Sequence, residues 1–177
     1  RGFNYAISAF EKAGANLVEV DIECARSAYS LSGKLFSPEA YGIWKETIEE
    51  NPDLMFKEIL NRFRGGGTVS AADYVRAWSD LKKFRSLFYS KISPFDAIIC
   101  PTSPIMPPEL EKLLADEKYY VQKNLLALRN TRIGNLMGLC ALTLPTDTLS
   151  CGVMLMMGPF KERNLLRLGA AAERALE

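Results

Sequence analysis

Helical periodicities and short apolar runs alternate along the 177 residues, and together they predict an α/β layered fold around a largely buried sheet. Ala97-Ile98-Ile99-Cys100 is a short continuous apolar run, as expected of a strand covered on both faces, and Leu139 to Leu144 and Cys151 to Met157 are two further apolar runs of strand length. Around them, apolar residues recur at helical spacing. The order is helices first, then strand, helices, strand, strand and helix, with no internal repeat and no low-complexity tract.

Phe3, Ala6, Ile7 and Phe10 form the first helical stripe, with Gly14 as its stop. Leu17, Val18, Val20 and Ile22 read as a short strand. Pro52 suits a helix start, with Met55, Ile59 and Phe63 on one face behind it. Gly65-Gly66-Gly67 reads as a flexible break. It lacks GxGxxG spacing and no Lys-Ser or Lys-Thr follows, which argues against a phosphate loop. Ser70 and Asp73 have the spacing of a capping box with Asp in the acidic place. A long helix follows, its stripe formed by Tyr74, Trp78, Leu81, Phe84 or Arg85, Phe88 and Ile92, and Pro94 closes it.

Pro101, Pro104, Pro107 and Pro108 make a rigid loop. Glu109 to Leu128 is mainly helical with a solvated charged face. Asn130 to Met137 is one more short helix, closed by Gly138. A polar turn around Asp147 separates the last two strands, and Leu165, Leu166, Leu168, Ala172, Ala175 and Leu176 give a closing amphipathic helix. One domain is expected over residues 1–177, with a helical segment at about 36–93 and a sheet-forming segment at about 95–177.

Composition narrows the chemistry. There are 22 Lys+Arg against 21 Asp+Glu, and no His. Without His the chain holds neither a Ser-His-Asp nor a Cys-His pair, and a zinc site would lack its commonest nitrogen ligand. The net charge of +1 argues against a broad nucleic-acid surface. No apolar run reaches the ~20 residues that span a bilayer. Cys24, Cys100, Cys140 and Cys151 form no CxxC pair and read as reduced, mostly buried thiols, which suits the cytoplasm. No metal and no cofactor is expected. The chain does not begin with Met and is expected to be a processed product or a piece of a longer polypeptide.

The residues alone assemble no mechanism. Gly-x-Ser-x-Gly is absent, and carboxylates are spread over helix faces. The most suggestive local feature is Asn130-Thr131 followed by Asn135 and Gly138. Thr131 and Asn135 are four apart and share a helix face, so they either line a pocket or serve capping and packing.

Several segments in order carry a resemblance. Phe95-Asp96-Ala97-Ile98-Ile99-Cys100-Pro101-Thr102-Ser103-Pro104 resembles a segment of the amidase-signature enzymes. So do Asn130-Thr131 with Asn135-Leu136-Met137-Gly138-Leu139, Ala141-Leu142 and Leu144-Pro145. Gly152, Gly158 and Leu165-Leu166 are similar to the family's closing region. Ala13-Gly14-Ala15 with Val18-Glu19-Val20-Asp21, and Ser70-Ala71-Ala72-Asp73-Tyr74, resemble its upstream connector and a helix start.

The resemblance implies the C-terminal portion of an α/β/α fold with a mixed sheet, and the hydrolysis of a carboxylic amide. The family's Ser nucleophile, second Ser and Lys base lie in a Gly/Ser-rich signature that this chain lacks, so no catalytic residue carries over and the isolated chain is expected to be inactive. By the same resemblance Thr102, Asn130, Thr131 and Asn135 are expected near the substrate pocket. The expected partner is a small-molecule amide in the complete enzyme, with no nucleic acid and no membrane. Exposed strand edges suggest a homodimer.

Four positions depart from the family pattern. Cys140 stands for a Pro, Asp147 for a Gly, Ser150 for a Pro and Met154 for a Gln. Amidotransferase members are expected to carry an acidic residue where this chain has Leu128, which favours a general amidase over a glutamine-using one. The departures also admit a non-catalytic binding module or pseudoenzyme.

Overall fold

A single strand organises the sheet. In the computed structural model, which describes all 177 residues, β3 (Gly152–Met157) lies between β1 (Ile98–Pro101) and β2 (Cys140–Pro145) and is antiparallel to both. Val153, Met154, Leu155 and Met156 are all buried, so both faces of β3 are covered, as its unbroken apolar run predicts. The fold class is the α/β class that the sequence predicts.

The chain divides into two compact units, residues 1–22 with 89–177, and residues 23–88. In the first, directly opposite residues share a sheet face. Leu144 and Val153, with Leu142, Leu155 and Ile99, face α1 (Gly2–Lys12) and α9 (Glu162–Leu176). Ala6, Phe10, Leu165 and Ala172 complete that core, and the Tyr5 hydroxyl donates to Leu176 O at 2.9 Å. The Leu142 side chain lies directly over Gly169 of α9, in the space a Cβ there would take.

The other face carries Cys100, Met154, Ile98 and Met156, and α8 (Arg129–Met137) lies against it through Gly134, whose side-chain direction points at Met156 Sδ. The Tyr89 hydroxyl donates to Met137 O. Gly138 ends α8 at φ +67, and Leu139 N–H returns to Gly134 O at 2.9 Å while Gly138 N–H reaches Asn135 O. This is a Schellman closure, in which the left-handed position suits Gly.

Between β1 and α8 run α6 (Leu110–Ala115) and α7 (Glu117–Ala127). Asp116 breaks the expected single helix and caps the second half, its carboxylate accepting from Tyr119 N–H at 3.0 Å. Residues 13–22, by contrast, form no strand. A strand requires a hydrogen-bonded neighbour, and this segment pairs with none of the three strands.

The second unit is helical: α2 (Glu23–Ala28), α3 (Ser32–Glu50), α4 (Lys57–Gly65) and the greater part of α5 (Ala71–Ile92). Ser70 caps α5 as its spacing predicts, accepting from Asp73 N–H at 3.1 Å and donating to the Asp73 carboxylate at 2.7 Å. The triple glycine is not a flexible break. Gly66 is buried, and a Cβ there would strike the Ser37 carbonyl in α3, so the residue type serves close packing. Arg64 grips Glu49 through Nε and Nη2 at 2.9 and 2.6 Å, and the Tyr41 hydroxyl adds a bond at 3.1 Å. The guanidinium, followed by that hydroxyl, holds the Glu49 carboxyl down at about 2, against the cost of partial desolvation. No helix of the chain is long and apolar enough to cross a membrane.

Three outcomes follow for stability. Gly138→Ala will cost about 1–2 kcal/mol in urea unfolding, because it forces a Cβ into the left-handed region. Gly42→Ala, on an exposed turn of α3 with open space around it, will gain about 0.5–1 kcal/mol. The Glu49 contribution is complete above its unfolded value of 4.5 and is lost as pH falls through about 2. The melting temperature will therefore drop over that interval, and an Arg64→Met variant will show a shallower drop.

Candidate active-site corner

The end of β1 is where polar groups gather. Asn130 occupies the first turn of α8, and its Nδ2 donates to Pro101 O at 2.7 Å. That bond fixes the helix start to the strand end and satisfies a carbonyl which faces away from β3. The next residue, Thr102, donates its backbone N–H to Gly152 O at 2.9 Å and its hydroxyl to Thr143 Oγ1 at 3.2 Å. Thr143 sits across the sheet on β2, so the pair bridges over β3 at Gly152.

Gly152 makes the bridge possible. A Cβ there would lie 2.8 Å from Thr102 Oγ1, 2.9 Å from Thr143 Cγ2 and 3.2 Å from Leu144 O. The chain therefore leaves out a side chain at the point on β3 where two hydroxyls from its two flanking strands meet.

The four residues expected at the pocket are not all placed alike. Thr102 and Asn130 meet at this corner, joined through Pro101. Thr131 turns its hydroxyl back to Leu128 O at 3.1 Å, a bond within its own helix start. Asn135 is exposed, and its backbone carbonyl accepts from Gly138 N–H at 3.3 Å. Of the two alternatives for this helix, capping describes the Thr131 contact. Thr143 was not among the expected residues. Its signal was available as the single hydroxyl residue within the apolar run Cys140 to Leu144.

Cys100 lies beside the corner, and burial pushes its thiol up to about 11, so it is protonated and a poor nucleophile near neutrality. No three Cys, Asp or Glu side chains converge in a way that would hold a metal ion. Leu128, at the N-cap of α8, is 45% exposed and offers no charge to an amine. The Ser150 departure has a backbone reason. It adopts φ +60 in the β2–β3 turn, which the ring of a proline could not reach.

Comparison with known proteins supplies the context of this corner. The family model described as Amidase matches residues 1–166. The chain is 26% identical over 174 residues to 2-amino-5-chloromuconic acid deaminase of Comamonas testosteroni, covering 95% of this chain and 37% of that protein. It is 28% identical over 179 residues to an amidase of Pseudomonas putida, covering 96% and 38%. Among solved structures it resembles allophanate hydrolase of Kluyveromyces lactis, with a TM-score of 0.86 at 22% identity over 98% of this chain and 29% of that one. That last likeness concerns the fold. The chain spans little more than a third of the length of these curated relatives.

Asn130→Asp will place a carboxylate against the Pro101 carbonyl where a donor now stands, and will lower stability by about 1–3 kcal/mol near neutral pH. Gly152→Ala will force the Thr102–Thr143 pair apart at a similar cost of about 1–3 kcal/mol. Urea denaturation of the two variants checks both values. Wild-type midpoints would show that the corner is not held as described.

Proposed function

The chain belongs to the amidase family, and from that premise we propose that it is the C-terminal, pocket-forming part of a hydrolase acting on a carboxylic amide. The observation that carries this is the family match over residues 1–166, combined with the polar corner it contains. In the complete enzyme an activated Ser outside these residues attacks the amide carbonyl, ammonia or an amine leaves, and water cleaves the acyl-enzyme. Thr102, Thr143 and Asn130 form a wall of the substrate pocket. Asn130 acts by setting the position of the β1 end, and Thr131 and Asn135 extend the same wall along α8. Leu128 favours a general amide substrate over glutamine. The thiol content suits the cytoplasm.

Ammonia release from a panel of small amides tests the proposal, comparing the 177-residue chain with the polypeptide translated from its complete reading frame. The longer polypeptide will release ammonia and the shorter will not. Asn130→Ala in the longer polypeptide will lower kcat/KM by about 10- to 100-fold, the scale of a misplaced reacting geometry. Saturable hydrolysis by the shorter chain, or no hydrolysis by the longer one after a Ser-directed probe also fails to label it, would overturn the proposal.

A further inference from the structure

One face of α3 is apolar and turned to solvent. Phe36, Ala40, Ile43 and Thr47 follow one another at four, seven and eleven residues, which sets them in a single stripe along the helix. Ile43 is 69% exposed, and Trp44, which borders the stripe, is 55% exposed. Single apolar residues on a surface are ordinary, but a stripe of them marks an interaction face. Glu39, Glu46 and Glu50, all exposed, line its other border. The lysines of α3 do not answer these acids. Lys34 reaches Asp73 at 3.9 Å, and Lys45 lies over the Tyr41 ring.

The closing helix carries the counterpart. While Leu165, Gly169 and Ala172 of α9 face the core, Leu166 and Ala170 are exposed, Leu166 at 63%. Arg163, Arg167 and Arg174 stand exposed beside them. No ion pair within the chain engages any of these three arginines or the three glutamates. Seen from the N-terminus of each helix, the acids lie anticlockwise of the α3 stripe, and the arginines lie clockwise of the α9 stripe. Laid face to face, the two flanks therefore meet when the helices run parallel. Glu39 and Glu50 are eleven residues apart, as are Arg163 and Arg174, so both pairs form in one register over about 16 Å of helix. Arg167 and Glu46 lie between them. Glu162 and Glu173 fall on the other side, where α3 presents the uncharged Trp44.

We infer that α3 of one copy of this chain docks on α9 of a second copy. Ile43 and Trp44 pack against the partner's Leu166 and the partner's Ala170, and the acidic flank meets the arginine flank. The apolar stripe supplies the affinity, with an exposed Trp at its border as the natural anchor. The charges set direction and register, since exposed pairs contribute little energy each. A contact of α3 with α3 brings no cation to the acidic flank, and run antiparallel it sets the acids against their own copies. Two copies thus meet through helices, and the strand edges take no part.

Sedimentation velocity over a range of concentrations tests this, on the 177-residue chain and on the polypeptide from its complete reading frame. Both will associate reversibly towards twice the monomer mass. Trp44 emission, read in a Trp78→Phe background, will shift to the blue as they do. Glu39→Arg with Glu50→Arg will weaken association about 10-fold, and so will Arg163→Glu with Arg174→Glu, because each change turns two attractive pairs into repulsive ones. The two variants mixed together will recover wild-type association, each supplying the charges that the other lacks. Lys82→Glu with Lys118→Glu, an equal change of net charge elsewhere, will not rescue the first variant. All six positions are exposed, so the fold is not at risk. A longer polypeptide that stays monomeric at every concentration overturns the inference, and a Trp44 shielded from acrylamide in that monomer assigns the face to the rest of the polypeptide. An arginine reversal that leaves association untouched, or a mixture that stays apart, overturns it as well.

Discussion

The structure depends on the two-sided satisfaction of β3. Its alternate peptide groups serve β1 and β2 in turn, and its alternate side chains serve two helical layers. Such a strand has no polar escape: each N–H must be paired and each side chain must be apolar. Val153, Met154, Leu155 and Met156 meet that demand with full burial. The positions of α1, α8 and α9 follow from it, because each covers apolar surface that β3 and its neighbours present. The polar corner exists only where β3 begins, at Gly152, the point at which the strand has no side chain to bury.

Where local chemistry decides a feature, it can be read from the residues. The Ser70–Asp73 cap and the Gly138 closure are each specified within five positions of chain, and both occur where spacing indicates. The three strands follow from unbroken apolar runs. What depended on tertiary approach was harder to see. Gly65-Gly66-Gly67 looks like a break, because nothing local states that the Ser37 carbonyl will come to rest on Gly66. Residues 17–22 carry a strand pattern, yet a pattern supplies only one half of a ladder.

The candidate site shows the same division. The ordered segments that hold Thr102 and Asn130 were legible, and the structure sets the two residues on either side of Pro101 O. Thr143 stands out in the sequence only as the one hydroxyl in its run, because its contact is a cross-strand meeting that requires the register of β2 on β3 and a glycine between. On α8 the Thr131 hydroxyl donates to Leu128 O, a contact that its place in the first turn of the helix makes available.

The two faces of the sheet differ in stiffness. Towards α1 and α9 the branched side chains of Val153, Leu144 and Leu142 fill the interface, Leu142 lying directly over Gly169. Towards α8 the filling is thioether: Met154 and Met156 on the strand and Met137 at the helix end, all buried. Methionine is unbranched and reshapes to its surroundings at little cost. The α8 side is thus a compliant seam, able to absorb changes of volume while the rigid side holds the register.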